Sequence, residues 1–176
     1  MIVLEGQPAL SPFRRERLEA RLRALHPDLR VTGTWHTYWV LPRPGATPDP
    51  VALARILQTV EAPHPRAAGI VSRFVSTRVG TISPWASKAT ELMHGANLPV
   101  QRVERGMRID LAGWPSDPAV QAVVGKALHD PMTQSLLEDA ASAGHLFETP
   151  ARGHVERIPL AQLEAANTRL GLALAP

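Results

Sequence analysis

Arg78, Gly80, Thr81, Ser83 and Lys88 fall within one short stretch of the chain, Val75 to Leu92. Two cations and two hydroxyls there accompany a Ser83-Pro84 pair, the signature of a capped helix start with proline in its first turn. The first-turn N–H groups of such a helix can take an anion or meet a partner surface. Three readings stay open: a plain capped helix, an inter-domain contact surface, or a direct ligand site. Trp85, at the second helical position, is either a core anchor or a docking aromatic. Ser87 lies on the same first turns and joins the candidate contact residues.

The second cluster is Arg102-Val103-Glu104-Arg105-Gly106, on a segment that reads as extended. Alternation along a strand sets Arg102, Glu104 and Gly106 on one face and Val103 and Arg105 on the other. This is either a cross-strand ion pair or exposed sheet edge, or a surface for docking onto another body.

Other chemistries find little support. The histidines, at 26, 36, 64, 94, 129, 145 and 154, form no metal-ligand pair at helical spacing, and cysteine is absent. His129-Asp130 reads as a tie at a helix end. Gly80-Thr81-Ile82-Ser83-Pro84 lacks the second glycine of a nucleophile elbow. Glu138 and Asp139 are neighbours and would diverge on a helix. No glycine-rich loop is followed by Lys-Ser or Lys-Thr. The sequence therefore predicts no assembled active site, no metal and no cofactor of its own.

The elements that would carry these residues read as two strand–helix–strand–helix units. The first is a strand over 2–6, a helix over 12–25 capped by Ser11, one long strand or a bent pair over 30–41, and a helix from Asp49-Pro50 through Val60. Phe13, Leu18, Leu22 and Leu25 share a face of the first helix, and Val51, Ala54, Leu57 and Gln58 recur helically in the second. The second unit is a strand over 69–77, the helix capped by Ser83, an extended stretch over 100–112, and a helix from Asp117-Pro118 to about Leu128. The landmarks repeat: Ser11-Pro12-Phe13 against Ser83-Pro84-Trp85, and Asp49-Pro50-Val51 against Asp117-Pro118-Ala119, 38 residues apart in one unit and 34 in the other. This predicts an internal duplication with pseudo-twofold symmetry. Residues 129–147 read as one or two short helices anchored by Met132, Leu136, Leu137 and Leu146-Phe147. Thr149 to Ile158 reads as a linker, and Leu160 to Leu172 as a last helix with an apolar side that has little to pack against. The expected division is 1–145, a connector over 146–158, and 159–176 as the start of a helical linker, which reads as part of a longer polypeptide.

Composition is that of a folded, soluble chain of one domain plus a tail: 44% hydrophobic and 20% charged residues in 176. The net charge is +3, with seventeen arginines to two lysines and acids interspersed among them, which fits a solvated face better than a nucleic-acid stripe. The lack of cysteine permits the cytosol, and neither a signal peptide nor a membrane span is read.

The stretch Val75-Ser76-Thr77-Arg78-Val79-Gly80-Thr81-Ile82-Ser83-Pro84-Trp85-Ala86-Ser87-Lys88-Ala89-Thr90-Glu91-Leu92 resembles a segment of one family. Leu4-Glu5-Gly6-Gln7-Pro8-Ala9-Leu10-Ser11-Pro12-Phe13-Arg14, Val103-Glu104-Arg105-Gly106 and Asn167-Thr168-Arg169-Leu170-Gly171-Leu172-Ala173-Leu174-Ala175 do so in the same order. Together they resemble the N-terminal part of the large single-chain form of phosphoribosylformylglycinamidine synthase. Ala86 stands where serine is common after the tryptophan. The resemblance implies an α+β domain whose two halves are like a fused dimer of the small accessory subunit, with helices covering antiparallel sheets. It implies a parent reaction in purine biosynthesis: ATP-dependent amidation of formylglycinamide ribonucleotide, with ammonia from glutamine. ATP, magnesium and substrate would be held by the synthetase domain and the cysteine nucleophile by the glutaminase domain, so no catalytic residue transfers to this chain. The implied role is cytoplasmic and architectural, bridging synthetase and glutaminase and sheltering the ammonia route. Arg78, Thr81, Ser83, Trp85, Ser87, Lys88, Arg102 and Arg105 are the candidate inter-domain contacts, with no nucleic acid or membrane as partner. The rival class is a free-standing ligand-binding or dimerisation module.

Overall fold

The computed structural model describes residues 1–148 and 157–171. Four helices begin alike: Ser11, Asp49, Ser83 and Asp117 each turn a side-chain oxygen to an early backbone N–H, with proline next in the chain. The cap satisfies one orphan donor, and proline removes another while presetting φ. These starts define α1 (Pro12–Leu25), α2 (Pro50–Leu57), α3 (Pro84–Gly95) and α4 (Pro118–Leu128).

The strands β1 (Ile2–Pro8), β2 (Arg30–Pro42), β3 (Val71–Thr77), β4 (Val100–Ala112) and β5 (Gln134–Leu137) form one antiparallel sheet rather than several, in the order β1-β2-β4-β3-β5. The fold is α+β. Among the first four strands, exchanging β1 and β2 for β3 and β4 leaves the order unchanged. The central seam pairs β2 with β4, setting His36 opposite Met107 and Thr37 opposite Gly106.

All four helices lie over one face of the sheet, the face of Val103, Ile109 and Leu111. Leu18 and Leu22 of α1 join Val124 and Leu128 of α4 over Val31, Ile109 and Leu111. Leu53 and Leu57 of α2 join Ala89 and Met93 of α3 over Tyr38, Val40 and Val103. Two separate clusters, one per helix pair, leave the middle of the sheet between them. The opposite face carries Trp39 and Phe74, covered by Ala143 and Leu146 of a 3-10 helix, Ala141–Phe147. That face also buries an ionic network. Arg108 pairs with Glu5 and Asp110, and Asp110 accepts hydrogen bonds from Ser72 Oγ at 2.6 Å and Trp35 Nε1 at 3.2 Å.

Several expectations are corrected. Residues 134–137 form a strand, not part of a helix. Leu136 and Leu137 look like adjacent helical anchors, but on β5 they alternate, Leu136 toward the α1/α4 cluster and Leu137 beneath Phe74. Met132 anchors nothing and is 75% exposed. Phe13 and Leu25 leave the buried face of α1, where Leu18 and Leu22 remain, and α2 buries Leu53 and Leu57 while Val51 is exposed. The expected last helix is a 3-10 turn, Leu160–Gln162, followed by α5, Leu163–Leu170. Leu160, Leu163 and Leu170 are exposed while Ala166 is buried. Most of the expected linker, 149–156, and Leu172 and Leu174 lie outside the described residues.

Candidate functional site

The turn between β3 and α3 is built by Gly80, whose φ of +84° suits a residue without a side chain. Thr81 closes it, its N–H donating to the Arg78 carbonyl at 3.1 Å and its hydroxyl to the same oxygen at 2.6 Å. Two neighbours hold the turn in place. On the β5 side, the Arg78 N–H donates to the Thr133 carbonyl and the Val79 N–H to Ser135 Oγ. On the β4 side, Arg102 Nη2 donates to the Thr81 carbonyl at 2.9 Å. Ser83 Oγ accepts from the Ala86 N–H at 3.0 Å. The hydroxyls of Thr81 and Ser83 are thus both engaged in making the turn and the cap.

Beside this turn lies a cleft of about 570 Å³ between the two helix pairs. Arg78, Thr81, Ser83 and Arg105 line it, and His36 and Met107 supply part of its floor. Burial first, and the Arg105 guanidinium second, hold the His36 imidazole below its ordinary pKa, against an opposing backbone hydrogen bond with Gly106. The imidazole is therefore neutral at neutral pH, and the charge of the cleft is that of its guanidinium groups. Arg105 also lies over the Trp85 ring at 4.7 Å, and Trp85 stacks on Tyr38 at 5.8 Å between centroids. Burial raises the Tyr38 phenol, with Arg105 pulling the other way. Trp85 is thus half-buried against the α2/α3 cluster while its ring carries a cation.

The expected residues divide among three depressions. Arg78, Thr81, Ser83 and Arg105 share the cleft. Trp85 and Lys88 border an adjoining groove that meets it at Arg105. Ser87 and Arg102 face a third hollow on the other flank of α3. Lys88 is exposed and pairs with Glu91 at 3.2 Å. The alternation read for 102–106 holds: Arg102 pairs with Glu104 on one face, and Arg105 is on the other. The pair runs along one strand, not across two, and β4 is central in the sheet rather than its edge. Sequence reasoning missed His36 and Met107, whose adjacency exists only through the β2–β4 register. His129 does tie a helix end, its Nδ1 bonding the Gly125 carbonyl at 2.8 Å. Among the described residues no group of three His, Cys, Asp or Glu side chains is placed to hold a metal ion, and no helix is long and apolar enough to cross a membrane.

Residues 35–147, from the middle of β2 through the 3-10 helix and including every residue lining the cleft except Ala9, match the family of formylglycinamide ribonucleotide amidotransferase N-terminal domains. The chain belongs to this family. This is the enzyme of the sequence resemblance, under its amidotransferase name. The matched stretch begins within β2, yet β1 completes the sheet of this amidotransferase domain by pairing Ile2 with Val40 and Leu4 with Tyr38.

Glu104, on the far side of β4 from the cleft, has no solvent exposure. Burial pushes its carboxyl above the ordinary glutamate pKa, opposed by Arg102, Thr77 and Ser83. The folded domain therefore holds this proton more tightly than the unfolded chain. The resulting stability is complete below the ordinary glutamate value and is lost as pH rises through the higher folded one. Thermal melts from about pH 4, near the ordinary glutamate value, upward should show the wild type losing stability with rising pH relative to E104Q. Parallel curves would contradict the assignment.

Proposed function

We propose that this domain performs no chemistry of its own and serves formylglycinamide ribonucleotide amidotransferase by bridging its synthetase and glutaminase domains, supporting ammonia transfer between them. In this reading ATP, magnesium and substrate are held by the synthetase domain, the setting is cytoplasmic, and the two strand–helix–strand–helix halves stand for the two protomers of an accessory-subunit dimer. The strand order that survives exchange of the halves supports that last point.

The observation that carries the proposal is the surface around the β3–α3 turn. Its hydroxyls are already committed to the fold, while its cations and apolar side chains face outward: Ile82 is 62% exposed and Met132 75%. A catalytic site needs free nucleophiles, acids or bases positioned on a substrate. A docking site needs exposed apolar surface edged by charge, which is what this turn presents.

The test is R78E in the complete enzyme, assayed with glutamine and with free ammonia as nitrogen source. Glutamine-dependent amidation should fall about tenfold, equivalent to ~1.4 kcal/mol, while ammonia-dependent amidation holds within about twofold (~0.4 kcal/mol). The stability of the 176-residue chain should change by no more than about 0.5 kcal/mol, as for a surface substitution. Equal losses with both nitrogen sources would place Arg78 in service of the synthetase reaction instead.

A further inference from the structure

We propose that the groove across the helix-covered face of the sheet seats an acidic, amphipathic segment of the remainder of the same enzyme; this rests on the bridging role above. The groove is longer than the cleft beside the β3–α3 turn. A second hollow of about 410 Å³ lies against α1, and the two share Met107 and adjoin at Ala9 and Leu10. The groove beneath Trp85 and Lys88 continues the line in the other direction through Arg105. The gap exists because α1/α4 and α2/α3 pack as separate pairs; His36 and half-buried Met107 floor it, beside Val75 of the α1/α4 cluster.

Every formally charged side chain lining these three hollows is cationic. Arg14, Arg17 and Arg21 mark the α1 end and Arg78 and Arg105 the middle, whereas Lys88 at the far end is already paired with Glu91. Arg14, Arg17 and Arg21 follow helical spacing on one face of α1. Glu19 on the same helix is turned away, accepting the Val31 N–H at 2.8 Å. The groove is thus a line of positive charge in a chain whose overall net charge is only +3. Like charges crowded along a concavity are stabilised by a complementary partner, and they speed its encounter.

The floor and rim specify more than charge. Met107, with exposed Ile82 and Met132 at the edge, gives an adaptable apolar contact for side chains between the partner's carboxylates. Nucleic acid fits less well. Binding of single strands draws on aromatic faces for stacking, whereas the Trp85 ring is already engaged by Tyr38 and Arg105.

The experiment measures binding of the 176-residue chain to the separately produced remainder of the enzyme, at low and high NaCl. Two charge-reversed variants, R78E and R14E/R17E, are compared with R55E, an exposed arginine outside the groove. Unchanged melting curves establish that the variants are folded. Dissociation constants should rise at least about tenfold, or ~1.4 kcal/mol, for both groove variants and for the wild type on raising salt, with R55E unchanged. With a remainder whose cooperative melting shows it to be folded, no binding by the wild type would overturn the bridging role and this proposal with it. Binding indifferent to the groove variants and to salt would leave the bridging role standing and overturn the groove. A mixed-sequence RNA oligonucleotide binding as tightly through the same arginines, or self-association of the wild type abolished by R78E, would replace the proposed occupant.

Discussion

Replacing Arg108 with methionine should remove a large share of the domain's stability. The guanidinium is 2% exposed and is shared by Glu5 on β1 and Asp110 on its own strand, with its remaining Nη2 donor reaching the His64 carbonyl at 3.2 Å. Methionine fills much of the same volume but leaves two carboxylates under the sheet without their cation. Breaking a buried pair in this way costs about 3–5 kcal/mol, because the partner charge stays desolvated. Against a total of roughly 5–15 kcal/mol for a domain, that is a large share. The melting temperature should drop by ~10 °C. The loss also takes one hydrogen bond from the segment carrying His64, which keeps its ring stacked on Trp35 at 3.5 Å and its N–H donating to Glu5. Urea unfolding of R108M and of the triple variant R108M/E5Q/D110N checks the cause. The triple variant removes the stranded charges and should recover part of the loss: Trp35 Nε1 can donate to the one oxygen left at position 110, while Ser72 Oγ, which donates to the other oxygen of Asp110, must turn to accept from the new amide N–H. A cost below about 1 kcal/mol for R108M would show that water reaches the carboxylates and that the network is surface electrostatics.

That network was invisible in the sequence, and the reason is physical. Glu5 and Arg108 are 103 positions apart, and only the β1–β2–β4 order brings them to one face. What was legible was local. Ser-Pro and Asp-Pro pairs name their helix starts because cap and proline act within one turn, so α1 and α4 begin and end where their periodicity said. Alternation likewise put Arg102 with Glu104 and Arg105 opposite, and these are neighbours along one strand. The turn from Arg78 to Ser83 was readable for the same reason. The errors sit where a distant surface decides. Leu136 and Leu137 form a strand because the outer edge of β3 is open to them, and a helical reading of two adjacent leucines has no access to that edge. Phe13 lies five residues before Leu18, a step that turns it off the face shared by Leu18 and Leu22, and in the first turn of α1 it meets Arg17 rather than the core. The cleft is a middle case. Its arginines and hydroxyls were named, but its floor and its extension along α1 depend on how the two helix pairs divide the sheet.

Gly106 carries the second large effect. It lies on β4 opposite Thr37, beside the cleft on one side and beneath Trp39 on the other. A methyl group there would stand 2.5 Å from Trp39 Cζ3 and 2.7 Å from its Cη2, and closer still to the Val75 carbonyl oxygen of β3. The obstacle is thus a backbone atom of the neighbouring strand and a ring with no solvent exposure, neither of which can swing aside as a flexible side chain would. The ring is pinned as well, its Nε1 donating to the Ala140 carbonyl at 3.1 Å just before the 3-10 helix. G106A should therefore cost about 2–3 kcal/mol, at the upper part of the range for overpacking a dense core. G106V should cost more, because a β-branched side chain adds volume against the same wall. As a control, G95A places its methyl in open space at the end of α3 and should be neutral or slightly stabilising. The strain has a direction that the measurement can follow. If Trp39 yields, the 3-10 helix loses its anchor, so near-ultraviolet dichroism and proteolysis near Ala140 should change in G106A before global unfolding. If β3 yields instead, the Arg78–Ser83 turn moves with it, and G106A in the complete enzyme should reproduce the glutamine-selective loss expected for R78E. A G106A protein as stable as the wild type, with Trp39 unmoved, would mean that β3 and β4 part at Val75 without cost.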